Sequence, residues 1–118
     1  MNMKVFSEKV GLSSHTLRYY EKIGLLNQVQ RNASGHRVYG KKEEVWVGFI
    51  KRLKETGMPL EEVLRYATLR EAGGSTLLER QHLLEKHREG LMRHIEQQQA
   101  HLSVLEEKID LYKSGKVA

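Results

Sequence analysis

The sequence predicts a mainly α-helical chain: a small helical head with one β-hairpin, a two-helix connector and one long carboxy-terminal helix. Three observations carry that reading. Two short helical apolar patterns are broken by Gly11, a turn-rich stretch from Asn32 to Gly35 separates two extended runs, and a seven-residue apolar recurrence begins at Leu77.

Met3, Phe6 and Val10 are spaced by three and four, so a first short helix can bury one face before Gly11 ends it. Ser13 precedes a second run in which Leu17, Tyr20, Ile23 and Leu26 recur at helical spacing, and a serine there can accept from the orphan amides of the first turn. Helix, glycine turn and capped helix is the helix-turn-helix signature. A period of 3.6 turns Leu17, Tyr20 and Ile23 inward and leaves His15, Thr16, Arg18, Tyr19 and Lys22 outside or on the flank. Those outward types suit nucleic acid. Arg18 can fork onto guanine or phosphate, Thr16 can offer a hydroxyl or methyl, and the Tyr19 hydroxyl can hold a phosphate oxygen.

Gly24 supplies the permissive backbone of a helix end. The run Leu25 to Gln30, the turn through Asn32-Ala33-Ser34-Gly35 and the return at Val38 and Tyr39 then read as a strand pair, with Arg31 and Arg37 flanking the turn. Two guanidinium groups on a small rigid projection make a wing.

In the connector, Lys42 to Glu55 carries Val45, Phe49 and Leu53 at four-residue steps with Trp46 and Ile50 beside them, an apolar face wide enough for a packed helix in which Trp46 serves packing. Gly57 closes it. Pro59 starts the next helix, Glu61 and Glu62 favour its positive end, and Val63, Leu64, Ala67 and Leu60 form its buried side. Gly73-Gly74-Ser75 interrupts the pattern, so the expected division is a head at 1–72, a link at 73–76 and a long helix with its tail at 77–118.

From Leu77 two series interleave: Leu77, Leu84, Leu91, Gln98, Leu105 and Tyr112 in one, and Gln81, Arg88, Ile95, Leu102 and Ile109 in the other. They behave as the d and a positions of a coiled coil. At ~1.5 Å per residue, five heptads make a rod of roughly 50 Å, too long to bury its seam against so small a head, so a second copy is the expected partner. Leu84, Leu91, Ile95, Leu102, Leu105 and Ile109 are the candidate dimerisation residues, and Gln81, Arg88 and Gln98 the seam positions that lower stability while fixing register.

Charge sharpens the functional reading. Of a formal net +5, residues 1–40 carry six Lys or Arg against two Glu, residues 41–70 seven against five, and residues 71–118 seven against eight Asp or Glu. Positive charge thus concentrates where the helix-turn-helix and wing were found, as a phosphate-neutralising head requires. The absence of cysteine excludes disulfides, thiolate metal sites and thiol redox sensing. With no apolar run near the roughly 20 residues that span a bilayer and no leader pattern, a soluble cytoplasmic protein without membrane contact is expected. No nucleophile with a credible base and no phosphate-cradling glycine loop emerges, so neither enzymatic activity nor a cofactor is expected.

The segments HTLRYYEKIGLL, RNASGHRVY and FIKRLKETGMPLEEV resemble the MerR family of bacterial transcription regulators, and the likeness covers essentially the whole chain. The resemblance implies a winged helix-turn-helix, a two-helix connector, and a long terminal helix pairing antiparallel with its copy in a homodimer. It implies His15, Thr16, Arg18 and Tyr19 as recognition-helix contacts, and Arg31, His36, Arg37 and Tyr39 as wing contacts. A tyrosine or similar residue is usual where His36 stands. The connector from Lys51 to Pro59 is similar to that of the branch answering aldehydes or oxidative stress, where a single cysteine commonly lies near the position of Arg52; this chain has none. The implied function is regulation of transcription at a near-palindromic promoter operator in double-stranded DNA, by bending and untwisting the promoter so that RNA polymerase meets aligned elements. The alternatives are an effector-independent architectural or excisionase-like DNA-bending protein, and a protein-interaction module that the basic head argues against.

His87, His94 and His101 recur every seven residues beside the seam, in the g series. Along one helix they stand ~10 Å apart, so a single chain is expected to hold no metal there. The antiparallel pairing that the resemblance implies brings g residues of two copies together, which makes these three histidines candidates for zinc binding or a pH response across the seam.

Overall fold

The computed structural model describes residues 1–27 and 29–117, so Gln28, which falls in the expected first strand, lies outside the described residues. The order is α1 (Met3–Val10), α2 (Ser14–Ile23), β1 (Gln30–Arg31), β2 (Arg37–Val38), α3 (Lys41–Glu55), α4 (Leu60–Ala72), a single 3₁₀ turn (Gly74–Thr76) and α5 (Leu77–Lys113). The chain divides into two compact units, Met1–Arg80 and Gln81–Ala118.

In the first unit the caps follow local chemistry. The Asn2 side chain accepts from the Val5 amide at 2.9 Å, and the Ser13 hydroxyl accepts from the Thr16 amide at 3.0 Å, each satisfying an orphan donor of a first turn. Gly11 and Gly24 end α1 and α2 at φ +71° and +91°, a left-handed conformation that glycine adopts without strain. The α1 end is also held from outside, because Lys51 on α3 donates to the Val10 carbonyl at 2.9 Å.

Phe6, Leu17, Tyr20, Leu25, Leu26, Tyr39, Val47, Ile50 and Val63 form the centre of the core. Leu25 and Leu26, read from sequence as the approach to a strand, are core residues, and the Leu25 carbonyl accepts from the Trp46 indole at 2.6 Å. Arg70 of α4 lies 4.1 Å above the Trp46 ring, and Tyr66 stacks against it with centroids 6.0 Å apart. The α3 face differs from expectation. Trp46, Val47, Ile50 and Leu53 are buried, whereas Val45 is 62% exposed and Phe49 only half-buried. Four-residue steps advance about 40° more than one full turn each, so 45, 49 and 53 drift around the helix, and Val45 falls beyond the packed arc. In α4, Val63 and Ala67 are buried while Leu60 and Leu64 are half-buried.

The stretch at 73–76 is folded onto α4. Thr76 is buried and its hydroxyl donates to the Leu69 carbonyl, while Arg80 donates to Thr76 Oγ1 at 3.1 Å and to the Gly73 carbonyl at 3.2 Å. The second unit is the rest of α5 and a short tail. Gly115, at φ +70°, ends the helix with Lys116 N donating to the Leu111 carbonyl at 3.0 Å. No helix among the described residues is long and apolar enough to cross a membrane.

Candidate nucleic-acid interface

The second helix presents His15, Arg18, Tyr19 and Lys22 at i, i+3, i+4 and i+7, and all four are exposed, Tyr19 at 46% despite its aromatic ring. The opposite face, with Leu17 and Tyr20, closes on the core. Thr16 is half-buried at the start of the helix, and its hydroxyl lies 3.0 Å from that of the capping Ser13.

The hairpin is shaped by Asn32. Its backbone amide donates to the His36 carbonyl at 2.9 Å, and its side-chain oxygen accepts from the Ser34 and His36 amides at 3.0 and 3.1 Å. Two antiparallel pairs result, Gln30 with Val38 and Arg31 with Arg37. Like charges directly opposite one another destabilise a strand pair. Glu21 of α2 answers this: one carboxylate oxygen takes Arg37 Nε at 2.5 Å, and the other stands 3.6 Å from Arg31 Nη2. Arg31 also donates to the Gly35 carbonyl at 2.9 Å, which braces the turn.

Glu21 therefore couples the wing to the recognition helix, a role that the reading of the sequence missed. The available signal was its isolation, as the sole acidic residue between Glu8 and Glu43. Replacing Glu21 with glutamine is expected to lower stability by about 1 kcal/mol, because partly exposed ion pairs are each worth a few tenths to one kcal/mol and the two arginines then repel unopposed. Urea denaturation of the two proteins measures it; an unchanged midpoint would remove Glu21 from this role.

The wing, the N-terminal residues Met1–Lys4 and Arg18 of α2 line an open concavity of about 770 Å³, whose charged and imidazole side chains are Lys4, Arg18, Arg31, His36 and Arg37. Sequence spacing separated the recognition helix from the wing, and it gave no hint of Lys4. The fold brings all five to the lining of one concavity. Four of the five are lysine or arginine, a concentration suited to a phosphate backbone.

Tyr39 does not join them. The resemblance implied it as a wing contact, but it is 1% exposed, its ring stacked on Phe6 with centroids 4.2 Å apart and planes within 2°. The strand ends at Val38, one residue before Tyr39 turns into the core, because a large aromatic gains more from burial than from an edge position. Burial pushes its phenol above the ordinary tyrosine range, Arg37 opposing the shift and Glu21 adding to it. Its backbone exchanges hydrogen bonds with Met1, the Tyr39 amide donating to the Met1 carbonyl at 2.7 Å. Tyr39 thus anchors the wing to α1 from below.

Comparison with known proteins points the same way. Residues 1–70 match the family described as MerR HTH family regulatory protein, and residues 45–110 match MerR, DNA binding. An uncharacterized HTH-type transcriptional regulator of Haemophilus influenzae is 36% identical over 110 residues, 93% of this chain and 82% of that protein. The chain spans a smaller share, 41% to 66%, of other curated relatives. Among solved structures, a putative MerR family transcriptional regulator from Listeria monocytogenes superposes with a TM-score of 0.91 at 39% identity, covering 96% of this chain and 86% of that one. HiNmlR, described as a MerR family regulator lacking the sensor domain and bound to promoter DNA, superposes at 0.86 with 34% identity, covering 98% and 88%. With a family match over more than half its length and relatives named as regulators along nearly all of it, this chain belongs to the MerR family of helix-turn-helix transcription regulators.

Proposed function

We propose that two copies pair through α5 and read the half-sites of a near-palindromic promoter operator in double-stranded DNA. The observation that carries this is the basic concavity, where Arg18, Arg31 and Arg37 converge. His15, Arg18 and Tyr19 face base edges and the phosphates beside them; Arg31, His36 and Arg37 hold the flanking backbone, and Thr16 meets DNA at the start of the helix. Tyr39 supports the wing without touching DNA. Lys4 adds a phosphate contact.

Pairing is supported by the seam. Ile95, Leu102, Leu105 and Ile109 are 47%, 52%, 57% and 44% exposed in the single chain, and Leu84 and Leu91 are half-buried. A stripe of this length left exposed supports a partner helix along α5. A two-fold dimer then matches a two-fold operator, and bending or untwisting the promoter between the heads governs how RNA polymerase engages it. The excisionase-like alternative is not favoured, since the relatives named above are regulators.

A salt-titrated binding isotherm on duplex DNA from upstream of the gene, against a scrambled duplex of equal length, tests the reading. Selective binding to the first is expected; equal, steeply salt-dependent binding to both, repeated across a genomic library, overturns it. Arg18→Ala is expected to weaken selective binding by about 1–3 kcal/mol if Arg18 reads a base, or mainly to flatten the salt slope if it holds phosphate. An unchanged isotherm removes Arg18 from the interface.

A further inference from the structure

The edge of α5 beside the seam carries Arg80, His87, His94, His101 and Lys108, five consecutive g positions that are all basic types. His94 and His101 are exposed and His87 is half-buried. The helical neighbours of His94 and His101 supply no counter-charge: three and four residues from His94 stand Gly90, Leu91, Gln97 and Gln98, and from His101 stand Gln97, Gln98, Val104 and Leu105. The carboxylates flanking the seam, Glu85 and Glu106, belong to the other edge, the e series.

Charge on α5 favours an antiparallel second copy: residues 81–95 carry three Lys or Arg against two Glu, and residues 96–113 carry two Lys against four Asp or Glu, so halves of opposite sign meet only in that direction. In an antiparallel pair g faces g. Because every g position is basic, each register with near-full overlap sets a histidine against a histidine, or against Arg80 or Lys108, of the second copy.

We infer that this edge makes the dimer acid-sensitive: neutral imidazoles are tolerated face to face, and their protonation loads both sides of the seam with like charge. An imidazole ordinarily takes its proton near pH 6.5. Facing cations disfavour that proton, so the pair binds fewer protons than two separate chains do, and lowering the pH favours separation. The dimer is therefore tight above the imidazole range and lost as pH falls through it. Metal bridging is a poorer use of the same row, because each level of the seam offers two imidazoles.

The inference rests on the α5 dimer proposed above, and one experiment separates the two. Sedimentation equilibrium of the full chain at about pH 8 and about pH 5.5, at equal ionic strength and with helicity followed by circular dichroism, gives the dimer dissociation constant at each pH. The expected result is a dimer at the higher pH that weakens by roughly tenfold or more at the lower one. The H87Q/H94Q/H101Q variant is expected to lose that dependence, and H94K/H101K to dimerise poorly already at the higher pH. A chain monomeric at the higher pH overturns the dimer reading and this inference with it. A dimer that is insensitive to acid, that tightens in acid, or that keeps its dependence in the glutamine variant overturns the inference alone.

Discussion

Replacing Phe6 with alanine is expected to lower the unfolding free energy by about 3–5 kcal/mol, the range for deleting a fully buried aromatic. Phe6 is 0% exposed and carries the Tyr39 ring on its face, so its loss opens a void directly under the wing. The consequence reaches beyond stability. The Tyr39 backbone tie to Met1 and the two strand arginines, Arg31 in β1 and Arg37 in β2, depend on where that ring sits. Phe6→Leu, which fills much of the space without the stack, is expected to recover a large part of the loss. Thermal or urea denaturation gives the energy, and DNA binding below the transition gives the effect on the interface. A Phe6→Ala protein within 1 kcal/mol of the parent would mean that the stack contributes little and that the wing is held by its hydrogen bonds instead.

Introducing glutamate at both Ile95 and Leu102 is expected to abolish pairing, raising the dimer dissociation constant by about two orders of magnitude or more. Both lie on the a series, and in the proposed dimer each substitution would force an unpaired carboxylate into the seam. The head is a separate compact unit ending at Arg80, so its folding should survive. Sedimentation of the variant should then show a folded monomer, and affinity for a two-half-site duplex should fall by about 10²–10⁴ as the two heads lose their linkage. Affinity for an isolated half-site should hardly change. Retained dimerisation would place the interface elsewhere on the chain.

The elements most legible in the sequence were those governed by neighbours along the chain. The helix start at Ser13, the glycine stops at Gly11 and Gly24, and the start of α5 at Leu77 all follow from capping, left-handed backbone or heptad recurrence. Less legible was the boundary between surface and core wherever two faces compete. Val45 matched the apolar pattern of α3 and is exposed, whereas Val47 and Leu25 lay off the pattern and are buried. Periodicity gives the face a helix could bury, but the neighbours that α1, α2 and α4 bring determine how wide that face is and where it is centred.

The recognition helix was read correctly as a surface because its polarity alternates with helical period, a property of ten adjacent residues. The sequence by itself determined the element order, the position of positive charge and the family, because capping, period and motif are local and additive. Only the tertiary structure decided that Glu21 clamps Arg31 and Arg37, that Lys4 lines one concavity with Arg18 and the wing, and that Tyr39 turns inward onto Phe6. Each of these joins residues far apart in the chain, and the free energy of such a contact depends on which surfaces are excluded from water together, which no local spacing encodes.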